Sequence, residues 1–307
     1  MKRILITGGA GFIGANFVRR LLKENIELHL LVRPETSLWR IQPFLSHLFL
    51  HRVDLECYDL LAGIIKEISP SVIFHFGAHG TSSAHQDAFR IVTSNILGTF
   101  HLLKATQEID YEFFAHIGGS SEYGKLEKEM NERDCIQPNT LYGATKACAT
   151  LLSQQFALMY QKPLAILRLF SVYGPFESPL RLIPTAINAA FEGDLLQLTP
   201  PGFYRDLIFV EDAIDACLQC WQKRITREII NIGTGVQTSN EQVIACIEKL
   251  TGKKIALSPI SYTPRLSDKQ VWVADTRKAR DKLAWSPQHS LEEGLQKTIH
   301  WYRHDID

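Results

Sequence analysis

The sequence lacks any charge imbalance: 33 Lys and Arg are matched by 33 Asp and Glu over 307 residues. A surface built to hold a polyanion needs an excess of cations, so neither nucleic acid nor an anionic membrane surface is an expected partner. Long apolar runs are missing as well. No stretch approaches the ~20 apolar residues of a membrane-spanning helix. The run after Lys2 and Arg3 is too short for a signal peptide. Cysteine is sparse and scattered, which points to free thiols in a reducing, cytoplasmic setting. Cys217 and Cys220 form a C-x-x-C, but inside the helical pattern EDAIDACLQCWQ and with no second pair. Two small residues packed on one helix face are expected there, and no metal site. Internal repeats and low-complexity segments are absent.

Glycine, by contrast, is concentrated at the start. The strand-like KRILIT runs into Gly8, Gly9, Gly11 and Gly14, and then into the helical GFIGANFVRRLLKEN. The spacing satisfies both G-x-G-x-x-G and G-x-x-G-x-x-G in the required context, after a strand and opening a helix. Glycine permits the tight turn and puts no Cβ between backbone and ligand. The helix N-terminus then offers free N–H groups to a pyrophosphate. Gly8, Gly11, Phe12, Ile13 and Gly14 are therefore assigned to a dinucleotide cofactor.

Strands and helices alternate from there. IELHLLV, SVIFHFGA, YEFFAHIG and LAILRLF read as strands; IVTSNILGTFHLLKATQE and LYGATKACATLLSQQFALMY read as helices. This alternation predicts an α/β fold with a Rossmann-type doubly wound parallel sheet. Beyond Phe170 prolines break the pattern, at 175, 179, 184, 200 and 201. Residues 1–170 are predicted to form the dinucleotide-binding domain, with 207–233 returning to it. Residues 171–206 and 234–307 are predicted to form a smaller, irregular α/β lobe.

The end of the second strand reads Val32-Arg33 where an acidic residue would hold the ribose hydroxyls of NAD. An apolar residue followed by Arg fits a 2′-phosphate, so NADP is expected over NAD. Glu35 would serve NAD if the loop bent back, which Pro34 opposes. Arg40 is a second phosphate candidate, with a solvated surface arginine as the plainer reading. Asp54 and Leu55 follow the next short strand, within reach of the adenine.

Tyr142 and Lys146 stand four residues apart in a helical pattern, on one face. A phenol with a pKa of ~10 is a poor acid–base group at neutral pH, and a neighbouring ammonium lowers that pKa. The pair predicts proton transfer to or from a substrate oxygen while hydride moves at the adjacent carbon. Ser120, with Ser121 as the alternative, ends a strand upstream and is the candidate hydrogen-bond partner of that oxygen.

Taken together, TGGAGFIG, DL at Asp54, NILGT, SSEYG, YGATK, LRLFSVYGP, RDLIFVEDA, NIGTG and PRLSDKQVWVADTRKARDKLAWSP resemble the extended short-chain dehydrogenase/reductases, in their nucleotide-sugar epimerase/dehydratase/4-ketoreductase branch. The resemblance covers nearly the whole chain. It implies a nucleotide-diphosphate sugar between the lobes with its C4 facing the nicotinamide, Arg205 and Arg265 on the pyrophosphate and nucleotide, and a homodimer. His79 is expected to line the sugar pocket. Ser171 stands where the family often has Asn at a substrate phosphate contact.

Three chemistries share such a site. A 4-epimerase removes hydride at C4 and returns it to the other face. A 4,6-dehydratase also eliminates water across C5–C6, for which Glu122 is the candidate base. A 4-ketoreductase delivers hydride once. Arg33 favours an NADPH-dependent 4-ketoreductase of a nucleotide-linked 4-keto-6-deoxy sugar, with the epimerase or dehydratase as alternative. Reduction of a non-nucleotide ketone and a non-catalytic NADP-binding regulator are the readings outside that class.

Overall fold

The computed structural model describes residues 2–80, 87–264, 268 and 270–304. The strands are β1 (Lys2–Thr7), β2 (Ile26–Val32), β3 (Phe49–Arg52), β4 (Val72–His75), β5 (Phe113–Gly119), β6 (Leu164–Leu169), β7 (Ser171–Tyr173), β8 (Tyr204–Phe209), β9 (Ile229–Ile232) and β10 (Gln237–Ser239). The helices are α1 (Phe12–Leu21), α2 (Tyr58–Ile68), α3 (Ala88–Val92), α4 (Gly98–Thr106), α5 (Leu141–Met159), α6 (Leu182–Glu192), α7 (Val210–Gln222), α8 (Asn240–Thr251), α9 (Arg277–Leu283) and α10 (Leu291–His304).

Seven strands form one parallel sheet in the order β3-β2-β1-β4-β5-β6-β9. Order reverses between β1 and β4, the point at which a doubly wound sheet opens a crevice above its strand ends. β1, β4, β5 and β6 are buried on both faces, so they read as apolar runs rather than as alternation. The small sheet, β10-β8-β7, pairs β7 with β8 in parallel and β8 with β10 antiparallel.

Two apolar layers cover the large sheet. On one side Phe17, Val18 and Leu21 of α1 and Ala213, Ile214 and Cys217 of α7 pack on Ile4, Ile6, Phe74 and Ala115. On the other, Leu61 and Ile65 of α2, Leu102 and Leu103 of α4 and Phe156 of α5 pack on Leu5, Ile73 and Phe114. Cys217 and Cys220 are buried free thiols within the first layer. A third, smaller cluster joins Tyr123, Met130, Phe170, Trp272 and Ala274 beneath the end of β5. Among the described residues no helix is long and apolar enough to cross a membrane.

Candidate active site

The glycine turn is built for close approach. Gly8 has φ of +69°, a left-handed conformation, and a Cβ on it would meet Gly77 N at 2.7 Å. A Cβ on Gly14 would lie 2.1 Å from Gly8 O, so α1 begins packed on the turn itself. The first turn of α1 carries no acidic side chain and Gly11 supplies no side-chain cap. Its N–H groups and its positive dipole end are left for an anion. These residues fit a pyrophosphate-bearing dinucleotide.

At the end of β2 the chain departs from expectation. Thr36 N donates to Arg33 O at 3.0 Å, closing a turn through Pro34. Pro34 therefore does not hold the loop open, because it sits within the turn. Glu35 folds back to 3.6 Å from Arg33 Nε and also pairs with Arg90 of α3. Arg52 Nη1 donates to Pro34 O at 2.7 Å. Arg40 is occupied elsewhere: its Nε donates to Phe176 O at 2.9 Å and its guanidinium lies over Trp39. Asp54 Oδ1 accepts from Glu56 N at 3.0 Å, and Leu55 packs at 3.1 Å from the Cβ position of Gly98.

The chemical pair lies at the start of α5. Thr140 caps that helix by accepting from Gly143 N at 3.0 Å. A Cβ at Gly143 would lie 2.5 Å from Ser121 O, so the glycine after Tyr142 lets the helix press against the 3₁₀ turn Ser120–Glu122 that ends β5. Lys146 Nζ reaches the sheet and donates to Ile117 O at 2.6 Å. Burial pulls the Lys146 ammonium down to about 8. Burial, reinforced by the nearby Glu122 carboxylate, pushes the Tyr142 phenol up to about 12. The expectation of a lowered phenol is thus reversed in this structure. Desolvation comes first and Glu122 adds to it, and the opposing cation is Arg181 rather than Lys146.

Ser120 and Ser121 differ in their surroundings. Ser120 Oγ accepts from Trp272 Nε1 at 3.1 Å, whereas Ser121 Oγ is buried with no partner among the described residues. Glu122, the candidate base, is fully buried. Its Oε1 accepts from Gly119 N at 2.8 Å and its Oε2 from Arg168 Nε at 2.8 Å. Both oxygens are committed inside the protein, although the carboxylate is close enough to act on Tyr142 and Lys146. Tyr123 lies beneath the Arg168 guanidinium, 4.6 Å from ring centroid to cation, and donates to Asn231 Oδ1 at 2.7 Å.

Behind Lys146 lies a run of polar groups that the sequence did not reveal as a unit. Gly77 N donates to Thr7 Oγ1 at 3.1 Å, and Thr7 Oγ1 meets His75 Nδ1 at 2.6 Å. His75 Nε2 meets Thr99 Oγ1 at 3.0 Å, and Thr99 donates to Asn95 O at 2.7 Å. The pattern requires a neutral imidazole with its proton on Nε2, and burial holds His75 down at about 3. His116, its register partner on β5, is fully buried, and neither nitrogen has a hydrogen-bond partner among the described residues. Asn95 lies in a π turn, Thr93–Leu97. It accepts from His79 N at 2.7 Å and donates to His79 O and Thr145 Oγ1, each at 2.9 Å. His79 is thereby held by its backbone at the crevice edge.

On β8 Arg205 Nη2 pairs with Asp268 at 2.8 Å, and its guanidinium lies 5.0 Å from the Trp272 ring centroid. Ser171 is half-buried on β7, beside β8. Arg265 lies outside the described residues. The sequence reading missed Glu177. It is buried one turn before Arg181, with Oε1 3.5 Å from Arg181 Nε, and burial pushes its carboxyl up to about 7. A charged residue inside the apolar strand LAILRLF was the available signal for Arg168, since a buried guanidinium requires a buried anion.

The model for GDP-mannose 4,6 dehydratase matches residues 5–298. The Haloferax volcanii low-salt glycan biosynthesis protein Agl12 is 30% identical, over 98% of this chain and 99% of its own. UDP-glucuronate 4-epimerase of Thermodesulfobacterium geofontis is 29% identical, over 100% and 98%. Among solved structures, a dTDP-glucose 4,6-dehydratase from Bacillus anthracis in complex with NAD superposes with a TM-score of 0.88 at 27% identity, covering 100% of this chain and 98% of that one. With its glycine turn, its parallel sheet and its tyrosine–lysine helix, the chain belongs to the GDP-mannose 4,6-dehydratase family of NAD(P)-dependent extended short-chain dehydrogenase/reductases, the sugar-nucleotide epimerases and dehydratases.

Proposed function

We propose that the protein is a nucleotide-diphosphate-sugar 4-epimerase that keeps its nicotinamide cofactor bound through the catalytic cycle. The observation that carries this reading is the burial of Glu122 on Arg168. Elimination across C5–C6 requires a further acid–base pair in the cleft, and Glu122 was the candidate for it. Without Glu122 the end of β5 offers only the hydroxyls of Ser120 and Ser121, which suffice for an exchange at C4. A nicotinamide held above the glycine turn supplies or accepts the hydride at that carbon. Tyr142 takes the proton from the C4 hydroxyl and returns it. Lys146, as a cation, favours the phenolate and holds a cofactor ribose. One serine hydroxyl hydrogen-bonds the reacting oxygen. Residues 171–206 and 234–307 hold the sugar nucleotide, with Arg205 and Arg265 on its diphosphate and His79 and Ser171 beside the sugar.

The return of Glu35 onto Arg33 supports NAD, because a carboxylate there serves ribose hydroxyls and repels a 2′-phosphate. A homodimer is supported by the apolar residues exposed on α3 to α5, among them Phe89, Phe100, Leu151 and Leu158. A second reading, an NADPH-dependent 4-ketoreductase, is favoured by Arg33, Arg52 and Arg90, which outnumber Glu35 around that turn.

The test is a panel of UDP-, dTDP-, GDP- and CDP-linked sugars and their 4-keto-6-deoxy forms, incubated with the purified protein. Epimerised product with no net cofactor change supports the epimerase. Stoichiometric NADPH loss with a keto sugar replaces it with the reductase. A 4-keto-6-deoxy product from an unreduced sugar overturns both.

A further inference from the structure

Ser120 is tied to a tryptophan 152 positions further along the chain. The indole Nε1–H of Trp272 donates to Ser120 Oγ at 3.1 Å, and both residues are buried, with 6% of each exposed. A hydroxyl has one proton to give and two lone pairs. With one lone pair filled by the indole, the proton of Ser120 is turned away from Trp272, and it meets no protein acceptor among the described residues. An unguided serine hydroxyl samples three staggered positions, of which one serves a given acceptor.

Trp272 is itself held from several sides. It packs with Tyr123, Met130, Phe170 and Ala274. Its backbone N donates to Gln237 Oε1 at 2.7 Å. Two residues on, Ala274 N donates to Asp206 Oδ2 at 3.0 Å, and the same carboxylate takes Thr234 N, Thr234 Oγ1 and Gly235 N at 2.7, 2.7 and 2.9 Å. The ring face carries the guanidinium of Arg205, whose chain neighbour is that same Asp206.

We propose that Trp272 is a positioning residue for the reaction: its indole N–H fixes the direction in which Ser120 offers its proton, and Arg205 on its ring ties that direction to the lobe that holds the diphosphate. The proposal rests on the reading of Ser120 as the hydroxyl that serves the reacting oxygen. The consequence is a division of labour. Loss of the indole N–H slows the chemical step and leaves sugar-nucleotide affinity nearly unchanged, because Trp272 gives its hydrogen bond to the serine and not to the ligand.

The experiment compares Trp272→Phe, Ser120→Ala and the double variant on whichever sugar nucleotide the panel shows to be turned over. Phenylalanine keeps an aromatic ring in the cluster and removes the donor together with some ring volume. The double variant separates the two, because the effect of lost volume persists without Ser120 Oγ and the effect of the lost donor does not. Ser120→Ala is expected to lower kcat by roughly 10–100-fold. Trp272→Phe is expected to lower it about tenfold with KM within about twofold, and the double variant to be no slower than Ser120→Ala alone. Wild-type kcat in Trp272→Phe beside a slow Ser120→Ala overturns the proposal and leaves the serine reading standing. Wild-type kcat in Ser120→Ala overturns the serine reading, and a slow Ser121→Ala then moves the role to its neighbour. A readout without turnover uses the indole N–H resonance of Trp272, assigned by its disappearance in Trp272→Phe. It is expected to move in Ser120→Ala, and to move in the wild type on addition of UDP, dTDP, GDP or CDP. No movement in Ser120→Ala overturns the hydrogen bond, and no movement with any of the four nucleotides overturns the link through Arg205.

Discussion

The Glu122 carboxylate and the Arg168 guanidinium meet at 2.8 Å with 0% and 3% of their side chains exposed, one residue before Tyr123 and inside strand β6. Breaking a buried pair from one side strands the other charge, at a cost of about 3–5 kcal/mol. Glu122→Ala is expected to destabilise the protein by that amount in urea unfolding. Glu122→Gln, which keeps an acceptor for Gly119 N, is expected to cost less. A catalytic base would show the reverse: full stability in Glu122→Gln and loss of turnover.

Gly14→Ala puts a methyl 2.1 Å from Gly8 O, where only backbone can give way. Cofactor binding is expected to fall by at least about tenfold, since a shifted turn withdraws N–H groups from the pyrophosphate. Titration of nicotinamide fluorescence measures it. Gly63→Ala, with no atom within 4 Å of its Cβ position, is the control and is expected to bind as the wild type.

Tyr142→Phe is expected to lower turnover by about 10²–10⁴-fold with cofactor affinity retained, the range for removing a positioned acid–base group. Lys146 adds a pH dependence. Its ammonium is pulled down to about 8 by burial, so the cation is lost as pH rises through that value. Cofactor affinity is expected to weaken above pH 8 and, in Lys146→Met, to be weak and level across the same range.

Acid stability tests the buried histidines. His75 is held down at about 3, and His116 well below its ordinary range, both by burial first and by Lys146 second. The unfolded chain binds protons at these sites near pH 6.5 and the folded chain does not. Their contribution to stability is therefore present above pH 6.5 and is lost as pH falls below it, by ~1.4 kcal/mol per pH unit for each histidine. Buried Glu177, pushed up to about 7, acts in the opposite direction, so the comparison is between variants. The fall in stability from pH 6 to pH 4.5 is expected to be shallower in His116→Phe than in the wild type by that slope.

Leu151 and Leu158 lie seven residues apart on α5, 48% and 51% exposed, with Phe100 of α4 at 42%. If a second copy covers this face, Leu151→Glu places a charge in an apolar interface and is expected to convert a dimer to a monomer. Sedimentation of both proteins over a concentration series decides it. A wild-type monomer at all concentrations removes the dimer.

The parallel sheet was legible because strands buried on both faces are written as unbroken apolar runs between helical periods, as in KRILIT and SVIFHFGA. The glycine turn and the Tyr142–Lys146 spacing were legible because both are local. What escaped were relations across the chain. Glu122 looked like a cleft base because its partner, Arg168, stands 46 residues away in another strand. The phenol of Tyr142 was expected to fall because a cation four residues along is visible in sequence, while the burial and the Glu122 carboxylate that raise it are not. Pro34 was expected to hold Glu35 away, yet a turn needs only a residue of fixed φ in the right place, and proline supplies one. Trp272 carried no local signal at all, since its meaning depends on Ser120.

Gly143, pressed against the carbonyl of Ser121, and Lys146, bonded to Ile117 O, pack the tyrosine–lysine helix directly on the end of β5. On the proposed reading Arg205 and Arg265, the contacts to the diphosphate, are carried on other segments, after Phe170. A change of base or sugar can then accumulate in those segments as long as Trp272 keeps its hydrogen bond to Ser120. For a designer, the graft is two pieces rather than one: residues 171–206 and 234–307 exchanged between relatives, with α7 and β9 left in the large sheet and Trp272 kept opposite Ser120, are expected to exchange the molecule chosen while the chemistry stays where it is.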